Sequence, residues 1–310
     1  MPQIFNDAQS ALGFVVAQTT YIERQVNEIV YPDIQYPMLV PVDTSAPEWV
    51  KSVTYFSQDK FGKADWLNGN ADDIPRAGTS RTKFETEVHM AGIGYGYGLE
   101  EINQASMLGI NLAAEDAMAA RRAYEEFVER IALTGDTAKG MTGLINSATV
   151  TATANASGKL WSAATPAEIL NDVNMALVGQ CSGTLFTSMA DTILMPYSRY
   201  LSIASRMVGT DGSSMSILNW LLANNAYTAH MGRPLTIRAI RGLDTAGGSG
   251  SARMVSYRRD PNVVKLHIPM PHRFLPAFQA SPTRVEIAGI FRLGGVDWRR
   301  PKEAAYTDGI

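Results

Sequence analysis

GIGYGYGLEE, residues 92–101, places glycine at every second position from Gly92 to Gly98 and then enters a stretch free of proline. A phosphate-cradling dinucleotide loop needs the spacing G-x-G-x-x-G, and the positions where the third glycine would stand hold Tyr97 and Leu99. A phosphate at the start of the following helix would also meet Glu100 and Glu101, which repel it while compensating the helix dipole themselves. Period two explains the pattern. In a strand Gly92, Gly94, Gly96 and Gly98 share one bare face, and Ile93, Tyr95 and Tyr97 share the other. A face without side chains lets another backbone approach closely.

Downstream, Leu99 to about Leu133 contains no proline and one glycine, Gly109. Ile102, Ala105, Leu108, Leu112, Ala113, Ala117, Ala120, Tyr124, Phe127, Val128 and Ile131 form a helical stripe. At 1.5 Å per residue such a helix is about 50 Å long, longer than a small domain is wide. Arg121 with Glu125, Arg122 with Glu126 and Glu126 with Arg130 stand four apart, as on an exposed face, and TGD at 134–136 ends the run.

Upstream, the glycine strand begins near Phe84, and a first strand is predicted over 50–58 from its alternation. Between them lie some 25 polar, turn-rich residues, QDKFGKADWLNGNADDIPRAGTSRTK. A loop of that length in a compact domain is either functional or disordered. Before it, YPDIQYPMLVPVDTSAPEW carries Pro32, Pro37, Pro41 and Pro47 and reads as an extended arm outside the core. An amphipathic helix from Asp7 to about Val30, started by Asn6 or Asp7, precedes the arm. A partner surface that orders both arm and loop is the simplest explanation for segments that cannot bury themselves.

The second half mixes elements. VTATA suggests a short strand, and Thr165, Pro166 and Glu168 match an N-cap, first-turn proline and capping-box acid that open a helix through Leu177. A strand at 191–195, helices at 197–206 and 214–223, and strands at 235–241, 254–257, 263–268 and 285–293 follow, which makes an α+β chain without tandem repeats.

Composition narrows the function. The 310 residues are 45% hydrophobic and 18% charged, with a net charge of -3, so no lysine and arginine excess points to a protein that grips nucleic acid. The single cysteine, Cys181, excludes an internal disulfide and any cysteine-based zinc cluster, and a small buried apolar role suits it better than a nucleophilic one. MPQIFNDAQS lacks a basic leader, and LGFVVA is too short to cross a bilayer, so no export signal or membrane span is expected. The chain contains no G-x-S-x-G, no G-x-x-x-x-G-K-[ST], no H-E-x-x-H and no C-x-x-C. NGNADD at 68–73 has calcium-loop spacing at Asn68, Asn70 and Asp72, but Asp73 and Thr79 stand where glycine and glutamate are required. His267 and His272 lack further ligands nearby in sequence and read as surface or interface histidines. Arg258, Arg259, Arg299, Arg300 and Lys302 form short basic patches better suited to ion pairs than to phosphate. No catalytic, cofactor-binding or metal-ligating residue is assigned, and no cofactor is expected.

YIERQVNEIVYPDIQYPMLVPVDTS, GYGYGLEEINQA, RRAYEEFVERIALTGD followed by GMTGLIN, and the ending RRPKEAAYTDGI together resemble the major capsid proteins of tailed bacteriophages with the Hong Kong 97-type fold, in a family catalogued as a domain of unknown function. The resemblance spans nearly the whole chain. It implies an N-terminal arm over 1–48, an extended E-loop over 49–98 and a spine helix over 99–133. Residues 99–165 and 281–310 would form the peripheral domain and 166–280 the axial domain. It further implies self-assembly through hexamers and pentamers into an icosahedral virion shell. Packaged double-stranded DNA would be touched weakly and non-specifically, with a portal and scaffolding or cement proteins as partners, no membrane, and synthesis in the bacterial cytoplasm. Some relatives crosslink a loop lysine to a neighbour's asparagine. Lys60 and Lys63 lie in the right loop, but no asparagine and acid partner is identifiable, so no crosslink is assigned. The early start of the arm argues against a removable scaffolding segment. An encapsulin-type nanocompartment shell of the same fold is the alternative, and a nucleotide-dependent oxidoreductase the alternative of another class.

Overall fold

In a computed structural model, residues 32–66, 74–108, 112–209 and 215–310 are described. The expected helix over 7–30 and the NGNADD segment fall outside them.

The proline-rich arm joins the core through one short stretch, contrary to its sequence reading as wholly outside it. Tyr36–Leu39 forms one helical turn (α1), and Val42–Asp43 (β1) pairs in parallel with a later strand. Tyr36, Leu39 and Val40 are buried. These three residues anchor an arm whose Pro32, Pro37 and Pro47 stay exposed, and the Leu39 carbonyl accepts the buried Tyr257 hydroxyl at 2.7 Å.

Ser52–Phe61 (β2) and Gly78–Glu87 (β3) pair antiparallel over ten residues each, from Ser52 opposite Glu87 to Phe61 opposite Gly78. Both ends of the expected loop, 58–61 and 78–83, therefore belong to the paired strands of a hairpin. The strand expected over 84–98 is three strands with three partners, β3 followed by His89–Gly92 (β4) and Tyr95–Gly98 (β5). Its helix follows at once as Leu99–Leu108 (α2) and Leu112–Thr134 (α3), with residues 109–111 outside the described set. Arg122 pairs with Glu126 at 2.8 Å as expected, whereas Glu125 accepts the Tyr36 hydroxyl and the Arg130 guanidinium lies over Phe127.

Gly135–Asp136 (β6) and Met141–Thr142 (β7) turn the chain back, and Thr151–Ala154 (β8) leads to the helix Pro166–Gly183 (α4). Its capping box is complete, Thr165 and Glu168 each bonding the other's backbone N–H. Thr192–Pro196 (β9), Tyr197–Ser205 (α5), Ile217–Asn224 (α6), Ala226–Met231 (α7), Thr236–Ile240 (β10) and Arg253–Tyr257 (β11) follow. The chain then runs through Val264–His267 (β12), Met270–Phe274 (β13), Phe278–Ser281 (β14), Arg284–Ile287 (β15), Gly289–Leu293 (β16), Val296–Trp298 (β17) and Ala304–Asp308 (β18).

The largest sheet has the order β10-β9-β11-β18-β8. Alternation sends Leu194 of β9 into one core, with Tyr124, Val128 and Ile131 of α3, and Ile193 and Met195 into another, with Ile169, Val173 and Leu177 of α4. Both faces are covered, which is why β9 and β11 are buried at every position. The last strand, β18, lies inside this sheet between β11 and β8 and is clamped there: Arg253 meets both Asp308 oxygens at 2.7 and 2.9 Å and donates to the Ile145 carbonyl at 2.8 Å.

Candidate functional site

The glycine strand settles how the hairpin is carried. β4 pairs with β16 and β5 with β15, so two ribbons run side by side and both break at the same level, near Gly94 and Ala288. A Cβ on Gly92 would stand 2.7 Å from the Gly289 carbonyl oxygen, and one on Gly94 would stand 2.9 Å from Ala288 Cα. The bare face is therefore where a second backbone closes in, as the period-two reading requires. The opposite face, Ile93 and Tyr95, joins an aromatic group against α3: Tyr95 packs edge-on to Phe274, His272 stacks on Tyr124, and Phe291 packs edge-on to both Tyr124 and Phe127.

Arg292 of β16 roots the hairpin. Its guanidinium donates to the Glu48 carbonyl at 3.0 Å, on the chain entering β2, and to the Val88 carbonyl at 3.4 Å, on the chain leaving β3. The legs are tied to each other where Val88 N–H donates to the Lys51 carbonyl at 2.8 Å. Tyr55 stacks on Phe84 across the strands, and the Arg299 guanidinium lies 4.9 Å from the Tyr55 ring centre. Beyond that level the hairpin is bare. Phe56, Phe61, Trp66 and Ile74 are 67%, 60%, 98% and 65% exposed. An isolated two-stranded hairpin is marginally stable in water, and exposed aromatic clusters of this kind mark interaction surfaces. Glu85 is held below the usual carboxylate range by hydrogen bonds from Lys83 and then Ser52, which ties three polar side chains across the root.

The arm is fastened to β12. Lys265 of β12 reaches Asp43 at 3.0 Å. Burial would raise the Asp43 pKa, but hydrogen bonds from Ser45 and then Lys265 hold it well below the usual range. His267 is 1% exposed and lies between Asp43 and Asp297, 3.8 and 3.4 Å away. This corrects its reading as a surface or interface histidine: carboxylates distant in sequence reach it because β12 is sandwiched between β1 and β17. His272 is half-buried in the aromatic group. Among the described residues no cluster of three or more His, Cys, Asp or Glu side chains could hold a metal.

The remaining sequence candidates are structural. Cys181 is buried at the end of α4. Arg258 pairs with Asp260 and Glu303, Arg299 with Asp297, and Arg300 with Glu303, which matches the expected ion pairs. Lys60, Lys63 and Lys302 are exposed. The residues that sequence reasoning missed are Arg292 and Arg253. Arg292 stands inside an otherwise apolar strand and Arg253 opens one that is apolar but for Ser256 and Tyr257, a signal for a buried carboxylate or carbonyl partner. Among the described residues no helix is long and apolar enough to cross a membrane.

Comparison with known proteins yields no match among curated sequences. A family model described as "Major capsid protein" matches residues 62–310. Among solved structures, the capsid of Myoviridae phage XM1 is 16% identical, with a TM-score of 0.81 over 95% of this chain and 98% of that chain. The capsid of the native GTA particle is 12% identical, with a TM-score of 0.62 over 98% and 99% of the two chains. A Mycobacterium phage Adephagia chain is 12% identical, with a TM-score of 0.59 over 98% of each. The chain thus has the Hong Kong 97-type α+β fold and belongs to the major capsid protein family, a family of structural proteins rather than enzymes.

Proposed function

We propose that many copies of this chain, grouped as hexamers and pentamers, close into an icosahedral virion shell by laying the hairpin β2–β3 across a neighbouring copy. The observation that carries this reading is the hairpin beyond Tyr55 and Phe84, whose exposed aromatic residues gain burial only from another molecule. The segments keep their implied roles: arm over 1–48, E-loop over 49–98, spine helix over 99–133. We keep a peripheral domain from 99–165 and 281–310 and an axial domain from 166–280; the second core, drawn mostly from 166–280, is in line with the axial domain, while the first core also takes Leu194, Ile240 and Tyr257 from that range. A net charge of -3 suits a shell that contains double-stranded DNA through weak, non-specific contact. Portal and scaffolding or cement proteins are the further partners, and synthesis and assembly occur in the bacterial cytoplasm.

The test replaces residues 56–83 with a short turn and examines gradient-purified protein by negative-stain electron microscopy. Hollow particles or free capsomers are expected from the full chain and a folded, non-assembling subunit from the variant. Intact shells from the variant would overturn the reading.

A further inference from the structure

The main sheet has two free edges, β8 and β10, and they match each other. The Asn155 N–H donates to the Asp308 carbonyl, so Thr151 and Thr153 face β18 while Ala152 and Ala154 turn their N–H and C=O outward. On the other edge the Thr236 N–H donates to the Asp191 carbonyl, so Ile237 and Ala239 turn theirs away from β9. None of these outward backbone groups has a hydrogen-bond partner among the described residues. A free edge is ordinarily blunted by lysine, proline or a bulge. β8 has none of these: it reads Thr-Ala-Thr-Ala, is exposed at every position and keeps an unbroken register against β18. β10 opens into a cavity of about 250 Å³, between Leu39 of the first core and Tyr200, which packs on the second. Gln35 and Tyr197 bond at 2.8 Å beyond Ile240, where that strand ends. A slot this narrow admits a strand of small side chains, and β8 is such a strand.

We infer that the sheet continues from copy to copy, β8 of one subunit adding in parallel to β10 of the next. Direction allows it. β10 is parallel to β9, β11 is antiparallel to both β9 and β18, and β8 is parallel to β18, so the two edges point the same way. A second copy turned about an axis along the strands therefore brings its β8 beside β10 in parallel. Ile237 N–H then donates to the Ala152 carbonyl, Ala154 N–H to the Ile237 carbonyl, and Ala239 N–H to the Ala154 carbonyl, which uses every outward donor but that of Ala152. The occupant is a second copy in head-to-tail contact because a ring demands it. A symmetric β8–β8 pair closes after two subunits and cannot build a pentamer, whereas one edge meeting a different edge repeats around a ring of any size. The inference rests on the ring assembly proposed above but not on the hairpin, whose strands belong to neither edge.

The test is a double variant of the full chain, Ala154→Cys with Arg238→Cys, two exposed positions that stand opposite each other in this register. Paired strands lie about 4.8 Å apart, within disulfide reach, and the native Cys181 is buried. Oxidation of gradient fractions that contain capsomers is expected to give a denaturant-resistant ladder ending at the pentamer or hexamer, with no ladder from either single variant. Ala154→Pro removes one outward N–H and no bond within the sheet. It should leave the thermal midpoint of the dissociated subunit unchanged and weaken each ring contact about tenfold. Capsomers that do not crosslink, or that form as well from Ala154→Pro as from the parent, overturn the inference and leave the hairpin reading standing. Dimers from Ala154→Cys alone overturn it in favour of a symmetric β8 pair. An unmodified chain that yields neither capsomers nor shells overturns the ring assembly itself, and this contact with it.

Discussion

The hairpin β2–β3 and the sheet strands β9, β11 and β18 share backbone geometry and differ in almost everything else. In the sheet, side chains on both faces enter a core of the same chain, and a buried Arg253–Asp308 pair fixes the last strand. In the hairpin, the paired residues beyond Tyr55 and Phe84, 56–61 and 78–83, meet water on both faces. The contrast separates two sources of stability in one subunit: the sheet is held by its own chain, and the hairpin waits for another.

The strongest way to break that contrast is at the clamp. Asp308→Asn leaves the Arg253 guanidinium buried without a counter-charge and should cost the dissociated subunit about 3–5 kcal/mol in urea denaturation. The pH dependence has the same origin. Burial would raise the Asp308 pKa, but the Arg253 hydrogen bonds hold it below the usual carboxylate range. A depressed folded-state pKa gives stability that is present above the unfolded value of about 3.9 and lost as pH falls through the folded one. Acid titration of Asp308→Asn should therefore show a smaller loss below about pH 4 than the parent chain. An identical acid profile would remove Asp308 from the account.

A smaller effect is expected at the ribbon that carries the hairpin. Gly94→Val forces a side chain into the Ala288 backbone and should cost about 1–3 kcal/mol, read as a lower thermal midpoint. The smallest change in subunit stability belongs to the hairpin itself. Phe56→Ser with Phe61→Ser should alter it by less than about 0.5 kcal/mol, as for exposed sites generally, while particle yield collapses. A large loss of subunit stability would show that the hairpin rests on its own chain after all.

Local chemistry was legible in the sequence, and long-range pairing was not. Thr165, Pro166 and Glu168 announce their helix because all three act within one turn. The alternation of Gly92 to Gly98 gives the strand and its bare face, since both follow from period two. What the pattern could not show is where a partner changes: the breaks at Gly94 and Ala288 exist because each ribbon follows the other. The arm was misread for the same reason. Proline spacing describes its backbone, but the burial of Leu39 and Val40 depends on Tyr257 and Leu266, more than two hundred residues away. His267 needed Asp43 from one end of the chain and Asp297 from the other before its surroundings could be known.

The position of β18 has a consequence for timing. Residues 304–308 lie between β11 and β8, so a nascent chain that has emitted every earlier element still has a gap between those two strands of its main sheet. Both cores stay open there until Tyr306 of the first and Ile310 of the second have cleared the ribosome. A subunit stalled short of this point is a half-built template with two exposed strand edges, and it is the species a chaperone or protease would meet first.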